Sequence, residues 1–231
     1  MLKTLSGIIA LLLWLSQPAL AAPKQVELVY EATRNGQAFA TVTETYREDK
    51  GRYQIESVTK GLGVYALMGK RVLRSEGEVT TAGLKPSHFE LHQGDSASRS
   101  LSADFDWAAS TLNMKVKGKP RTAALQQGAQ DLASFSYQFM FAPPVTTLNL
   151  PVTTGKKLKE YHYKVNARDV ALKLAAGQFS TVHLVEANPE PDDDTKEFWL
   201  ASDQQHLPVR IRLRDEKGVT IEQNLTSINI R

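Results

Sequence analysis

Leu207-Pro208-Val209-Arg210-Ile211-Arg212-Leu213-Arg214, preceded by Phe198-Trp199-Leu200 and followed by Asp215-Glu216-Lys217-Gly218 and Val219-Thr220-Ile221-Glu222, decides the fold class. Val209, Ile211 and Leu213 alternate with Arg210, Arg212 and Arg214, and a period of two among β-branched and apolar residues is the pattern of a half-buried strand. One face enters a core and the other carries a basic ladder. Gly218 supplies the positive φ that a tight turn needs, and Val219 and Ile221 begin the return strand, with Glu222 opposite an arginine.

The same grammar extends upstream. Residues 26–34 lead into Asn35-Gly36, the strongest short hairpin signal, and on to a partner strand at 37–48. Asp49-Lys50-Gly51 turns the chain into 52–60. Strand patterns resume at 71–80, 85–93 and, after the polar turn Gly94-Asp95-Ser96, at 99–107, 111–116 and 121–125. No longer period repeats, which argues against a propeller or solenoid. Beyond residue 157 the pattern continues through 157–166, 170–174, 178–187, an acidic proline-rich loop at 188–194, and 196–201.

Two stretches break the rhythm. Gly61-Leu62-Gly63-Val64-Tyr65-Ala66-Leu67-Met68-Gly69 is apolar without alternation and is bracketed by glycines, as expected of a helical turn or flap over one end of the core. Residues 130–141 predict the one helix: Asp131 is a candidate N-cap, Leu132, Phe135 and Phe139 recur at helical spacing, and Pro143-Pro144 stop it. The expected fold is all-β, a long antiparallel meander forming a curved sheet or open barrel with one packed helix.

Residues 1–21 read as a secretory signal, with Lys3 in the n-region, an apolar run from Ile8 to Leu15, and Ala19-Leu20-Ala21 as the cleavage site. Residues 22–231 are then a single all-β domain, and no transmembrane anchor remains after cleavage. The chain has no cysteine, so its stability rests on the hydrophobic core rather than on disulfides. A net charge of +3 from 28 basic and 25 acidic residues is too mild to imply a nucleic-acid partner.

The chemistry-bearing residues give weak signals. His88 and His92 would lie on one strand about 13 Å apart, too far to share a metal ion. Glu190 with Asp192, Asp193 and Asp194 lacks the spacing of a calcium loop. Asp104 and Asp106, about 7 Å apart on one strand face, have a separation that a glycosidase could use, provided that they converge in a groove. No Gly-x-Ser-x-Gly elbow or glycine-rich phosphate cradle occurs. Lys156, Lys157, Lys159, Lys164, Arg168 and Lys173, with the arginine ladder at 210, 212 and 214, read either as a basic face toward anionic lipid or lipopolysaccharide headgroups or, the favoured reading, as charges that keep sheet faces and edges soluble. No cofactor and no enzymatic activity are expected.

Tyr30 before the Asn35-Gly36 hairpin, Phe105-Asp106-Trp107, Gln130-Asp131-Leu132-Ala133-Ser134, Gly177-Gln178-Phe179-Ser180-Thr181-Val182, and Phe198-Trp199-Leu200 ahead of Leu207-Pro208-Val209-Arg210-Ile211 together resemble the exported bacterial proteins of domain-of-unknown-function family 3108. The resemblance implies an all-β periplasmic protein of Gram-negative bacteria and supplies no catalytic residues. A looser architectural likeness is to periplasmic lipoprotein carriers, whose curved sheet wraps a helix and holds acyl chains between the two.

The function expected on these grounds is non-enzymatic binding of a lipid or other amphipathic ligand in cell-envelope biogenesis. The alternatives are a scaffold with an envelope protein partner and a polysaccharide hydrolase. In the binding reading Leu132, Phe135, Phe139, Trp107 and Trp199 line the cavity, and Leu62, Tyr65, Leu67 and Met68 form the flap.

Overall fold

The computed structural model describes residues 22–94, 99–189 and 194–231. The proposed signal at 1–21, most of the Gly94-Asp95-Ser96 turn, and Glu190, Asp192 and Asp193 of the acidic loop lie outside the described residues. Among those described, 15 strands form one sheet in the order β8-β7-β6-β5-β4-β3-β2-β1-β15-β14-β13-β12-β11-β10-β9. The first arm comprises β1 (Gln25–Arg34), β2 (Gln37–Asp49), β3 (Arg52–Gly61), β4 (Arg71–Thr80), β5 (Gly83–Gln93), β6 (Leu101–Asp106), β7 (Thr111–Val116) and β8 (Lys119–Ala124). The second comprises β9 (Gln130–Asp131), β10 (Thr147–Thr153), β11 (Leu158–Leu174), β12 (Gly177–Glu186), β13 (Thr195–Ala201), β14 (Leu207–Arg214) and β15 (Thr220–Ile230).

The arms join where β15 pairs with β1, and every pairing is antiparallel except the short β9–β10 contact. The turn chemistry behaves as the sequence implies. Asn35 and Gly36 both have positive φ, at 49° and 82°, the geometry that matches a two-residue turn to the twist of its strands. Gly218 has φ 78°.

The sheet curls without closing its hydrogen-bond ladder. Its ends meet through side chains instead: the Thr153 hydroxyl of β10 faces the Met114 sulfur of β7 at 3.7 Å. The turn after β10 packs so closely on β5 and β6 that a Cβ on Gly155 would stand 3.0 Å from Leu101 and 3.3 Å from Phe89. The free edge β8 carries Lys119, Pro120 and Arg121, all exposed, which discourages pairing with another sheet.

Residues 130–141 pack inside the curl, as the helix was expected to, but their helical part is one short 3-10 turn, Tyr137–Met140. The Asp131 side chain takes the N-cap role expected of it. Its Oδ1 accepts the backbone N–H groups of Ala133 (2.8 Å) and Ser134 (2.9 Å), while the Ser134 hydroxyl accepts the Asp131 N–H. These are capping bonds to the second and third residues beyond Asp131, and the Phe135 N–H bonds the Asp131 carbonyl at 3.1 Å before the chain tightens into the 3-10 turn. Asp131 Oδ2 also accepts the Ser75 hydroxyl at 2.6 Å, pinning the segment to β4.

Gln138 adds a second anchor, taking the Leu84 N–H at 2.8 Å and donating to the Ala82 carbonyl at 2.8 Å. The segment therefore works as a plug with apolar residues on both sides. Tyr137 and Met140 join the larger core, which runs through β1–β7 and takes in Leu207, Val209 and Leu225 of β14 and β15, whereas Phe135 and Phe139 join a second cluster with Tyr163, Leu184, Phe198, Leu200 and Ile211.

Candidate functional site

The seven contiguous strands β4-β3-β2-β1-β15-β14-β13 present a concave face to the plug, and a cleft of about 400 Å³ remains between them. That volume lies within the ~300–1,000 Å³ range of small-molecule sites. Its walls follow the inward register of each strand. Val42 and Leu73 come from one wall, Ile211, Leu213 and Ile221 from the other, and Leu132 and Phe135 from the plug.

Three ionisable residues sit at inward positions among these apolar ones. Glu44 falls between Val42 and Tyr46 on β2, Arg71 precedes Leu73 on β4, and Lys196 precedes Phe198 on β13 by two residues. Arg71 is level with Thr59 and Val42 across the ladder, and Lys196 is level with Leu213 and Ile221. Glu44 is level with Ser57 and Leu73, one row deeper. Arg71 and Lys196 thus mark a rim and Glu44 marks the floor.

Burial governs the electrostatics of all three. Glu44 is pushed up to about 7 by desolvation, with the Ser57 hydroxyl and Tyr137 pulling the other way. The Ser57 hydroxyl donates to Glu44 Oε1 at 3.1 Å. Neither Glu44 Oε2 nor the Tyr137 oxygen has an aligned hydrogen-bond partner among the described residues, although Tyr137 lies against the carboxyl. Lys196 is pulled down to about 8 by desolvation and then by repulsion from Arg71, against a weaker pull from Glu186 and Asp194. Its Nζ lies 4.9 Å from the Phe135 ring centroid. Desolvation also lowers Arg71.

The flap segment stands at this end of the curl. It forms a short 3-10 turn, Gly63–Met68, between β3 and β4, and Tyr65 packs edge-on against Phe39 at 5.5 Å. Phe39 in turn lines the cleft, so the flap reaches it through one aromatic contact. Leu62, Leu67 and Met68 do not line it; Leu67 is 90% exposed.

The other aromatics expected around a cavity are dispersed. Phe139 is buried behind the cleft against Phe198, with ring centroids 5.9 Å apart. Trp107 lies on the β5–β7 side, donating its Nε1–H to the Pro86 carbonyl at 2.6 Å and stacking on Phe105. Trp199 corrects the cavity assignment most clearly. It neighbours the inward Phe198 in sequence and therefore points to the opposite face of the sheet. There it stacks on His183 at 4.2 Å, with the Arg210 and Arg212 guanidinium groups 5.6 and 4.9 Å from its ring. Of the expected cavity residues, Leu132 and Phe135 line the cleft.

The arginine ladder is engaged in the sheet. Arg212 Nε donates to Glu222 Oε1 at 2.6 Å, the cross-strand pair expected, and Arg210 donates to Asn224. His88 and Asp104 pair at 2.6 Å, and Asp106 accepts the Ala109 N–H at 2.8 Å within its own turn. The two aspartates therefore stand on an exposed strand face, each engaged locally, rather than across a groove. Among the described residues, no three His, Cys, Asp or Glu side chains gather where they could hold a metal ion.

A family described as a protein of unknown function, DUF3108, matches residues 25–225. No curated protein matches the chain. Among solved structures, the β-barrel-like protein of domain of unknown function DUF1849 from Brucella abortus superposes with a TM-score of 0.57 at 9% identity, over 91% of this chain and 99% of that one. MucB in complex with MucA(peri) gives 0.37 at 13% identity, over 90% of this chain and 50% of that one. The hypothetical protein CT021 from Chlamydia trachomatis gives 0.35 at 6% identity, over 90% of each. The first shares the fold of this chain; the other two are too distant to carry an argument.

Proposed function

Because the chain belongs to the DUF3108 family of proteins of unknown function, we propose its role from the cleft: it is an exported, non-enzymatic protein that binds an amphipathic ligand between sheet and plug in the bacterial envelope. The observation carrying this reading is the cleft of about 400 Å³ with apolar walls from two sides of the curl and from Leu132 and Phe135 of the plug. A site of mainly apolar lining with a few convergent polar groups suits a molecule with a hydrocarbon body and one polar end. The flap, resting on Phe39, would control entry.

Native mass spectrometry of the protein isolated from the periplasm, followed by organic extraction, tests this. Bound lipid is expected, and Leu73→Trp, which fills the cleft, should abolish it in a protein that still unfolds cooperatively. A ligand-free mass together with no uptake on titration would contradict the reading and favour a scaffold role with an envelope protein partner.

A further inference from the structure

Resting on that binding reading, the geometry of the rim points to the chemical class of the ligand: we propose that the cleft selects amphipaths with an anionic head, a carboxylate or phosphate, held between Arg71 and Lys196. Both cations occupy inward positions on facing walls, Arg71 at the start of β4 and Lys196 near the start of β13. Among the described residues neither forms an ion pair. Two arginines on strands adjoining the cleft that face away from it are paired: Arg74 bridges Glu56 and Glu90, and Arg212 binds Glu222.

Two enclosed cations that repel each other are costly unless an anion lies between them. The effect is visible in Lys196, whose charge is disfavoured first by burial and next by Arg71, with Glu186 and Asp194 offsetting only part of it. An anionic head at the rim would relieve the desolvation of both side chains and accept charge-assisted hydrogen bonds from each. The apolar wall begins directly below, with Leu73 two residues beyond Arg71 and Phe135 beneath the Lys196 ammonium. Glu44 lies one row deeper, about 7 Å further along the strands, so its carboxyl is set apart from the head position.

Calorimetric titration of the exported protein, freed of lipid, with decanoate, decyl phosphate and decanol below their aggregation limits tests the assignment. Decanoate and decyl phosphate should bind about ten- to a hundredfold tighter than decanol. Which of the two anions binds tighter identifies the head as carboxylate or phosphate. Arg71→Gln combined with Lys196→Gln should erase the preference while leaving decanol binding intact, and Lys196→Met, which keeps the side-chain volume, should reduce it. Thermal unfolding of each variant establishes that the fold persists. Equal affinity for all three ligands, or a preference that survives in the folded double variant, would overturn the anionic-head assignment and leave the binding reading standing. Failure of all three ligands to bind would remove both.

Discussion

Ser57 on β3 donates a hydrogen bond to Glu44 on β2 at 3.1 Å, the two side chains meeting at an inward row that also holds Leu73. An acidic residue in that row is an exception to the apolar lining, and its consequence is a pH-dependent stability. Burial raises the Glu44 carboxyl from 4.5 to about 7, so the folded protein keeps a proton that the unfolded chain releases. The contribution is fully present below pH 4.5, declines as pH rises, and is gone by about pH 7. Asp131, raised from 3.8 to about 6, adds a slope of the same sign at lower pH. Between about pH 6 and 7 the contribution of Glu44 stands apart from that of Asp131. Glu44→Gln should therefore flatten the stability profile there and be more stable by about 2 kcal/mol at pH 7.5. Denaturant unfolding of lipid-free protein across this range checks the prediction, and parallel profiles would refute it.

Asp131 anchors the plug through two backbone N–H groups and the Ser75 hydroxyl. Asp131→Ala leaves those buried donors without their acceptor and should cost about 3 kcal/mol in urea unfolding at pH 7. A loss below about 1 kcal/mol would mean that the plug is held chiefly by its apolar contacts.

Gly61 sits where a Cβ would stand 2.3 Å from the Tyr65 carbonyl oxygen and 2.4 Å from its carbon. Gly61→Ala must displace the flap and break the Tyr65–Phe39 contact. Because the flap contributes no buried residue, global stability should change by less than about 1 kcal/mol. Release of a bound fluorescent acyl probe, followed by stopped flow, should accelerate several-fold. An unchanged release rate would show that the flap does not control the cleft.

Trp199 is 7% exposed yet lies across the sheet from the cleft. Trp199→Ala should destabilise the protein by about 3 kcal/mol through lost packing, with ligand affinity unchanged at a temperature where the variant is folded. A selective loss of affinity in the folded variant would contradict this placement.

Much of the fold was legible because the physical signals were local. The Asn35-Gly36 turn, the Gly218 turn and the Arg212–Glu222 pair each follow from a few adjacent residues. β10 is hidden in the sequence, because Pro151 inside the run argues against a strand; it is tolerated beside the two-residue edge β9. The sequence pattern breaks between 166 and 170, whereas β11 runs through that point with shifts of register between Val165 and Val170, where Asp169 takes φ 54°. The plug shows both the reach and the limit of helical spacing as evidence: Asp131 caps the segment and Phe135 and Phe139 share a cluster, yet the regular helical part is one short 3-10 turn.

The candidate site was less legible than the fold. Phe198 and Trp199 are equally apolar neighbours, and alternation alone does not tell which faces inward. Arg71, Lys196 and Glu44 are hard to single out because charged residues in a strand usually mark its solvent face. Their signal was parity: Glu44 shares the inward phase of Val42 and Tyr46, Arg71 that of Leu73, and Lys196 that of Phe198.

Anomalous diffraction from crystals grown with 10-bromodecanoate shows whether the cleft between sheet and plug holds an amphipathic ligand. A bromine peak is expected among Leu73, Phe135 and Ile211, with the carboxylate toward Arg71 and Lys196. A cleft without bromine in crystals that carry the ligand elsewhere would contradict it.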